Sequence, residues 1–183
     1  YYARCRHTGY QLCIRETLRL LFDETDLRAD NYERISKRVA ENTMPGFYAH
    51  AVHDVANIEY AHINCIQTPV FRETKTPDVF GVDLSINNLC APPNLSVLAE
   101  LLGEKITSLS QAKEAVDACF RRYGDKAVAI KTQCAYSRSL NFVNAKEEDA
   151  DPVFKRYAAK EELTPEESEI IQGYMFHYCM EKA

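Results

Sequence analysis

The sequence lacks the features of a membrane protein and of a disulfide-stabilised secreted domain. It contains no apolar run of about 18 residues, which a membrane-spanning helix needs, and we expect no signal peptide. The cysteines number seven and include no Cys-x-x-Cys pair, which argues against a disulfide framework and a structural zinc site. We therefore expect a cytoplasmic protein whose cysteines are reduced and serve as small, buried apolar residues.

An excess of positive charge is also lacking. The chain has 22 Lys and Arg residues against 27 Asp and Glu residues, so its formal net charge is −5. Nucleic acid is a poor candidate partner, because phosphate binding requires a clustered basic surface. We expect a small-molecule substrate, no nucleic acid and no membrane partner, and self-association into a homo-oligomer is left open. Hydrophobic residues make up 46% of the 183 residues, enough to build the core of one domain.

The order of predicted elements changes along the chain. Residues 1–57 favour helices, because their apolar residues recur three and four positions apart. Residues 58–183 favour alternating strands and helices, which predicts an α/β domain with parallel strands side by side in chain order. The segments rich in strand-forming residues are 58–65, 79–86 and 127–134. The predicted helices span about 12–22, 30–42, 46–57, 95–102, 110–123 and 152–160, with a last helix that begins after Thr164.

Reactive groups in parallel α/β folds lie at the carboxyl ends of strands. The polar residues at these predicted ends are His62, Asn64 and Gln67, then Asp83, Ser85 and Asn87, then Lys131, Gln133, Tyr136 and Arg138. Lys131 is the sharpest candidate, because a buried ammonium must be paired, neutral and nucleophilic, or modified into a metal ligand. The structural alternative is a lysine whose stem packs while its head reaches solvent.

Four further residues are candidates for substrate binding. Arg138 has the planar fork that suits a carboxylate or phosphate, although a tie between loop and backbone is equally compatible with its position. Tyr136 precedes it in the same connection, and Asn64 ends the first predicted strand. His7 lies in the polar cluster Arg6-His7-Thr8-Gly9-Tyr10, where Thr8 is alternatively a helix N-cap. His50 and His53 lie three residues apart, but no third metal ligand accompanies them.

Several blocks of the sequence resemble the amidohydrolase family that includes uronate isomerase, and in particular the amidohydrolase-like domain fused to glutamine synthetase in some proteins. The N-terminal blocks are Arg6-His7-Thr8-Gly9-Tyr10, Asp30-Asn31-Tyr32, Pro45-Gly46-Phe47-Tyr48 and Asn57-Ile58-Glu59-Tyr60. A further block, from Ala129 to Leu140, is similar to the fourth-strand motif of that group. The order of these blocks extends the resemblance over nearly the whole chain.

The resemblance implies a partial (β/α)8 TIM barrel with a helical N-terminal insertion, in which residues 1–183 are one domain and part of a larger barrel. It also implies a metal-dependent hydrolase or isomerase that acts on a small carboxylated substrate, with zinc or manganese in the full-length protein. In some members of the family the lysine of the fourth strand, here Lys131, is carboxylated and bridges two metals. The alternative function is a barrel-derived binding or scaffold module without catalysis.

Two departures accompany the resemblance. The sequence contains no His-x-His pair, which the family places on its first strand, and its opening residues Tyr1-Tyr2-Ala3-Arg4-Cys5-Arg6 contain no Met. We therefore expect a fragment in which the remaining strands lie outside residues 1–183, and which binds zinc or manganese weakly or not at all by itself.

Overall fold

The computed structural model describes residues 2–65 and 69–183, which form two compact units. The first unit comprises Tyr1–Ala61 and Thr76–Phe80, and the second comprises His62–Lys75 and Gly81–Ala183. None of the helices in the described ranges is long and apolar enough to cross a membrane. The α-helices are α1 (Tyr2–Cys5), α2 (Gly9–Phe22), α3 (Tyr32–Asn42), α4 (Phe47–Ala49), α5 (Asn87–Cys90), α6 (Leu95–Leu102), α7 (Leu109–Tyr123), α8 (Glu147–Ala158) and α9 (Pro165–Lys182).

The first unit is helical and has a small core. Its helices are α1 to α4, and a π-helical turn, His50–Val55, continues α4. The buried apolar side chains of its core are Leu18 and Phe22 of α2 and Ile35 of α3. Partly buried apolar side chains pack around them: Leu21, Leu27, Val39 and Phe47. Since few side chains are fully buried, this unit gains little stability from the hydrophobic effect.

The second unit has a larger core, to which α5 to α9 all contribute. Local sequence determines where its main helices begin. The Asn94 side chain accepts hydrogen bonds from two backbone N–H groups at the start of α6, and the Ser108 hydroxyl accepts one at the start of α7. Thr164 and Glu167 form a capping box at the start of α9, and the predicted start of this helix after Thr164 is confirmed.

The strands of the described residues are short. β1 (Ala61–Ile63) pairs with β2 (Phe80–Val82), and β3 (Leu84–Ser85) pairs with β4 (Ile130–Lys131). The β3–β4 pair is parallel. In the first pair Ala61 N–H donates to Val79 and Asp83 N–H donates to the Ile63 carbonyl, an offset that parallel strands produce. Each predicted strand segment therefore contains a strand, but each of these strands is only two or three residues long.

The prediction of a partial TIM barrel is wrong. The described strands form two separate two-stranded sheets and do not curve into part of a closed barrel. The segment 127–134 was expected to be covered on both faces, yet Val128, Ala129 and Lys131 are exposed. Ile130, in contrast, packs against the helical core. Helices thus cover one face of this strand, and a short apolar run in the sequence does not reveal whether its second face is covered.

Candidate functional site

The structure places Lys131 at the surface. It is the last residue of β4, and its side chain is exposed. The free-energy cost of burying an ammonium therefore does not apply, and the argument that burial makes Lys131 reactive is lost. Its predicted role as a catalytic residue or metal ligand stays a prediction.

Arg138 lies in the connection between β4 and α8, where it is tied to its surroundings. Its guanidinium donates hydrogen bonds to the Gln172 side chain (2.8 Å) and to the backbone carbonyls of Ser139 (2.8 Å) and Asn141 (3.4 Å). It also lies 4.2 Å from the centroid of the Phe142 ring. These contacts correspond to the structural alternative, in which Arg138 ties the loop, and they occupy the fork that was expected to bind substrate.

The other predicted binding residues are exposed and scattered. Tyr136 ends a short 3-10 helix and is 94% exposed. Asn64 follows β1 and is exposed. His7 belongs to the first unit, in the turn between α1 and α2, and is exposed as well. Thr8 occupies the N-cap position of α2, but its hydroxyl donates to the Cys5 carbonyl instead of capping. Gln67 lies outside the described residues.

His50 and His53 share the carboxyl group of Asp54. On the π-helical turn, Nδ1 of each histidine is hydrogen-bonded to a different oxygen of Asp54, at 2.8 Å and 2.9 Å. These hydrogen bonds, from His53 and then His50, hold the pKa of Asp54 below its ordinary value. Both imidazoles are exposed, so the cluster is a surface feature of the first unit.

A buried carboxyl group, Asp83, lies between β2 and β3. Its side chain is 0% exposed. Oδ1 accepts a hydrogen bond from the Cys65 backbone N–H at 2.8 Å, whereas Oδ2 accepts none from the residues that the structure describes. Burying a carboxyl oxygen without a partner costs several kcal/mol in an apolar setting, on the order of the whole stability of a small domain. Such an atom calls for an explanation, and one explanation is a functional position.

The nearest charged partner of this oxygen is a histidine at the surface. His62 Nε2 of β1 lies 3.6 Å from Asp83 Oδ2, and the His62 side chain is 46% exposed. The distance exceeds that of a hydrogen bond by a few tenths of an ångström, a gap that catalytic pairs close when substrate binds. A buried carboxyl group behind a solvent-accessible imidazole is the arrangement that orients a histidine for proton transfer.

The alternation of side chains along the strands brings further polar groups to this face. Leu84 is fully buried and Ile130, its register partner on β4, packs against the core. Successive side chains of a strand point to opposite faces, so Ser85 and its partner Lys131 lie on the face opposite to Leu84 and Ile130. We use the name polar face for Ser85 and Lys131 together with the neighbouring His62 and the fully buried Asp83. It lies entirely within the second unit.

The polar face does not fit the divalent metal that the resemblance implies. His62 and Asp83 are two candidate ligands, whereas zinc requires three or four from the protein. Residues 2–65 and 69–183 contain no group of three or more His, Cys, Asp or Glu side chains that could hold a metal ion. The chemistry of the site is therefore derived from its own side chains.

Strand-end reasoning pointed to His62, Asp83 and Lys131 but ranked Lys131 first. The usable signal was the isolated acid in Val82-Asp83-Leu84, an ionisable residue between two apolar ones in a strand. Its burial and its proximity to His62 depend on tertiary structure, which sequence spacing does not reveal. No family model matches this chain, and no curated protein matches it either.

Proposed function

We propose that this chain is a hydrolase or isomerase of small carboxylated molecules that works by proton transfer at His62. The observation that carries the proposal is Asp83 Oδ2, a fully buried carboxyl oxygen that faces His62 Nε2 and has no hydrogen bond among the described residues. Asp83 acts as the positioning residue, because it holds the imidazole ring in one orientation. His62 is the catalytic residue, because it alone of the pair reaches solvent.

The two ring nitrogens of His62 have different roles in this proposal. When the Nε2 proton points at Asp83 Oδ2, the lone pair of Nδ1 is exposed and basic. In hydrolysis, Nδ1 removes a proton from water while the water oxygen forms a bond to the substrate carbonyl carbon. The bond to the leaving group then breaks, and the proton passes from Nδ1 to the leaving oxygen or nitrogen. In isomerisation the same atom would remove a proton from carbon and return it elsewhere.

The resemblance to the amidohydrolase family supports hydrolysis and isomerisation as the two candidate reactions. Hydrolysis and isomerisation both occur in that family, and both require a base near a carbonyl group. The proposal does not depend on the barrel, and no step of it passes through a metal. A binding or scaffold module is the alternative function, and it predicts that loss of His62 changes no rate.

Turnover of carboxylated esters and lactones by the 183-residue chain tests the proposal. We expect His62→Gln to lower the rate on every substrate that the protein hydrolyses by about 10²-fold or more, the usual contribution of a positioned base. His50→Gln is the matched control, because His50 is also a surface histidine hydrogen-bonded to an aspartate. Equal rates for wild type and His62→Gln would contradict the proposal, and no hydrolysis above the buffer rate across the panel would contradict its hydrolase form.

A further inference from the structure

Helix α2 has a second apolar face besides the one that packs into the core of the first unit. The core face carries Leu18 and Phe22, which are buried. A separate stripe of small and apolar side chains recurs three and four residues apart along the helix, and it comprises Cys13, Ile14, Thr17, Leu20 and Leu21. Leu21 is half-buried, and the other side chains of the stripe are exposed. We call these residues the α2 stripe.

A groove of about 290 Å³ extends the α2 stripe. Leu20 and Leu21 line this groove together with Met44 and Phe47, and the Tyr48 ring packs edge-on against the Phe47 ring. Met44 and Tyr48 are 64% and 65% exposed. The stripe and the groove therefore form one continuous apolar surface, unlike the isolated apolar side chains that every soluble protein exposes.

The area of this surface matches one side of a protein–protein interface. Its side chains expose about 700 Å², compared with the roughly 800 Å² that each partner buries in an interface of standard size. A contiguous apolar patch of this size marks an interaction site. We propose that a second copy of this chain covers the patch, with α2 of one copy packed antiparallel against α2 of the other. Self-association at this surface does not require the activity proposed for His62.

The α2 stripe is complementary to itself, as a two-fold dimer requires, because both copies use the same patch. Thr17 is its midpoint, so in two antiparallel helices that cross there Ile14 of each copy lies opposite Leu20 of the other. The small side chains Cys13 and Thr17 leave room for the large ones of the second copy. The antiparallel order also brings opposite ends of the helix dipoles together. Tyr10 lies beyond the end of the facing helix, at the rim.

The first unit gains the most from such a partner, because its own apolar cluster contains only three buried side chains. Covering the α2 stripe removes further apolar surface from water. A partner that binds the folded unit and not the unfolded one also stabilises it by mass action. Amide protection in 2–61 should therefore rise with the concentration of the chain, whereas protection in 87–182 should not change.

Sedimentation velocity of the whole chain across the micromolar range tests the proposal. We expect wild type to sediment with twice the mass of the chain. Ile14→Glu and Leu20→Glu should each weaken self-association at least tenfold, because each places a charge in the apolar interface. Leu12→Glu is the matched control and should leave the dimer intact. Leu12 is 44% exposed on the same helix, but it lies outside the α2 stripe.

A charge-pair rescue tests the antiparallel arrangement. In a chain that carries both Ile14→Glu and Leu20→Lys, each introduced glutamate faces an introduced lysine of the second copy, so the double variant should dimerise more tightly than either single variant. Circular dichroism checks that every variant is folded. A wild-type chain that stays monomeric across the micromolar range overturns the proposal, and so does a Leu12→Glu variant as impaired as Leu20→Glu. A double variant that dimerises no better than the single variants overturns the antiparallel pairing.

Discussion

The two units differ most in how much apolar surface they bury. In the first unit three side chains form the buried core, and several large apolar residues are exposed: Tyr10, Leu12, Ile14, Leu20, Tyr32, Met44 and Tyr48. In the second unit α5 to α9 enclose a continuous core that includes Leu84, Ile86 and Phe154. Because stability is a small difference between large terms, the second unit should resist local unfolding far better than the first.

The difference explains why the candidate site lies in the second unit. Asp83 is held between two buried neighbours, Val82 and Leu84, so the core keeps its carboxyl group away from water. A catalytic pair must stay within about 0.5 Å of its working geometry, which a rigid scaffold provides. His50 and His53 of the first unit lie on an exposed turn without such support.

The largest expected effect comes from truncating one phenylalanine in each core. Phe154 is fully buried in the second unit, and Phe154→Ala should lower its free energy of unfolding by about 3–5 kcal/mol through lost burial and a cavity. Phe22→Ala removes one of the three buried side chains in the apolar cluster of the first unit. We expect it to abolish amide protection throughout 2–61 while leaving the helices of 87–182 protected.

Hydrogen exchange measured by mass spectrometry reports both units in one experiment. Tyr10→Ala is the control, because the ring is 87% exposed and its loss should leave the exchange of both units unchanged. If Phe22→Ala raised exchange equally in both units, the contrast between their cores would be wrong.

Acidification should have an intermediate effect on the stability of the first unit, because it protonates a carboxylate that forms ion pairs there. Glu24 accepts hydrogen bonds from Arg34 and Arg38, and the Arg34 hydrogen bond in particular holds the pKa of Glu24 below its ordinary value of 4.5. A lowered folded-state pKa stabilises the fold fully above about pH 4.5, and this contribution is lost as the pH falls through the folded-state pKa. The protection factors of the amides in 2–61, which correct for the slower intrinsic exchange in acid, should therefore fall on acidification.

Glu24→Gln should remove this pH dependence. The variant should exchange faster than wild type at pH 7 and approach the wild-type rate in acid, because a protonated glutamate and the glutamine that replaces it are both uncharged. Glu16→Gln, which breaks an exposed ion pair with Arg19, should keep the wild-type profile. Parallel profiles for wild type and Glu24→Gln between pH 7 and pH 3.5 would show that Glu24 does not stabilise this unit.

The smallest expected effect is the loss of stability when the threonine at a helix N-cap is replaced, and it should differ between α9 and α2. Thr164 accepts a hydrogen bond from the Glu167 N–H, so Thr164→Ala should destabilise the second unit by about 1 kcal/mol. Thr8, at the same position of α2, makes no such bond, and Thr8→Ala should cost the first unit less than half as much. Urea unfolding followed by the exchange of each unit measures both values. A larger loss for Thr8→Ala would reverse the expected order.

Helices were predicted well because their signals are local. The last helix begins after Thr164 as its capping box indicates, and α6 ends at Gly103, which has the left-handed conformation. Boundaries were less accurate. The helix expected at 152–160 begins at Glu147, whose acidic first turn suits the positive end of the helix dipole. The helix expected at 46–57 divides into α4 and a π-helical turn.

The strands and the site were predicted less well, because both depend on contacts between distant segments. The residues of 127–134 indicated a strand covered on both faces, yet Val128 and Lys131 are exposed, so the expected barrel was wrong. The exposure of Lys131 also removed the reason for ranking it first. The burial of Asp83 arises where three segments distant in sequence meet, and no periodicity in any one of them reports it.

A double-mutant cycle on His62 and Asp83 tests the central claim most directly. We compare kcat/KM for wild type, His62→Gln, Asp83→Asn and the double variant, with hydrogen exchange to confirm that each is folded. Asn keeps the oxygen that accepts from the Cys65 N–H. If the two residues act as one unit, the double variant will be no slower than His62→Gln alone, since Asp83 acts only through His62. Additive losses of activity, or an Asp83→Asn variant as active as wild type, would contradict the account.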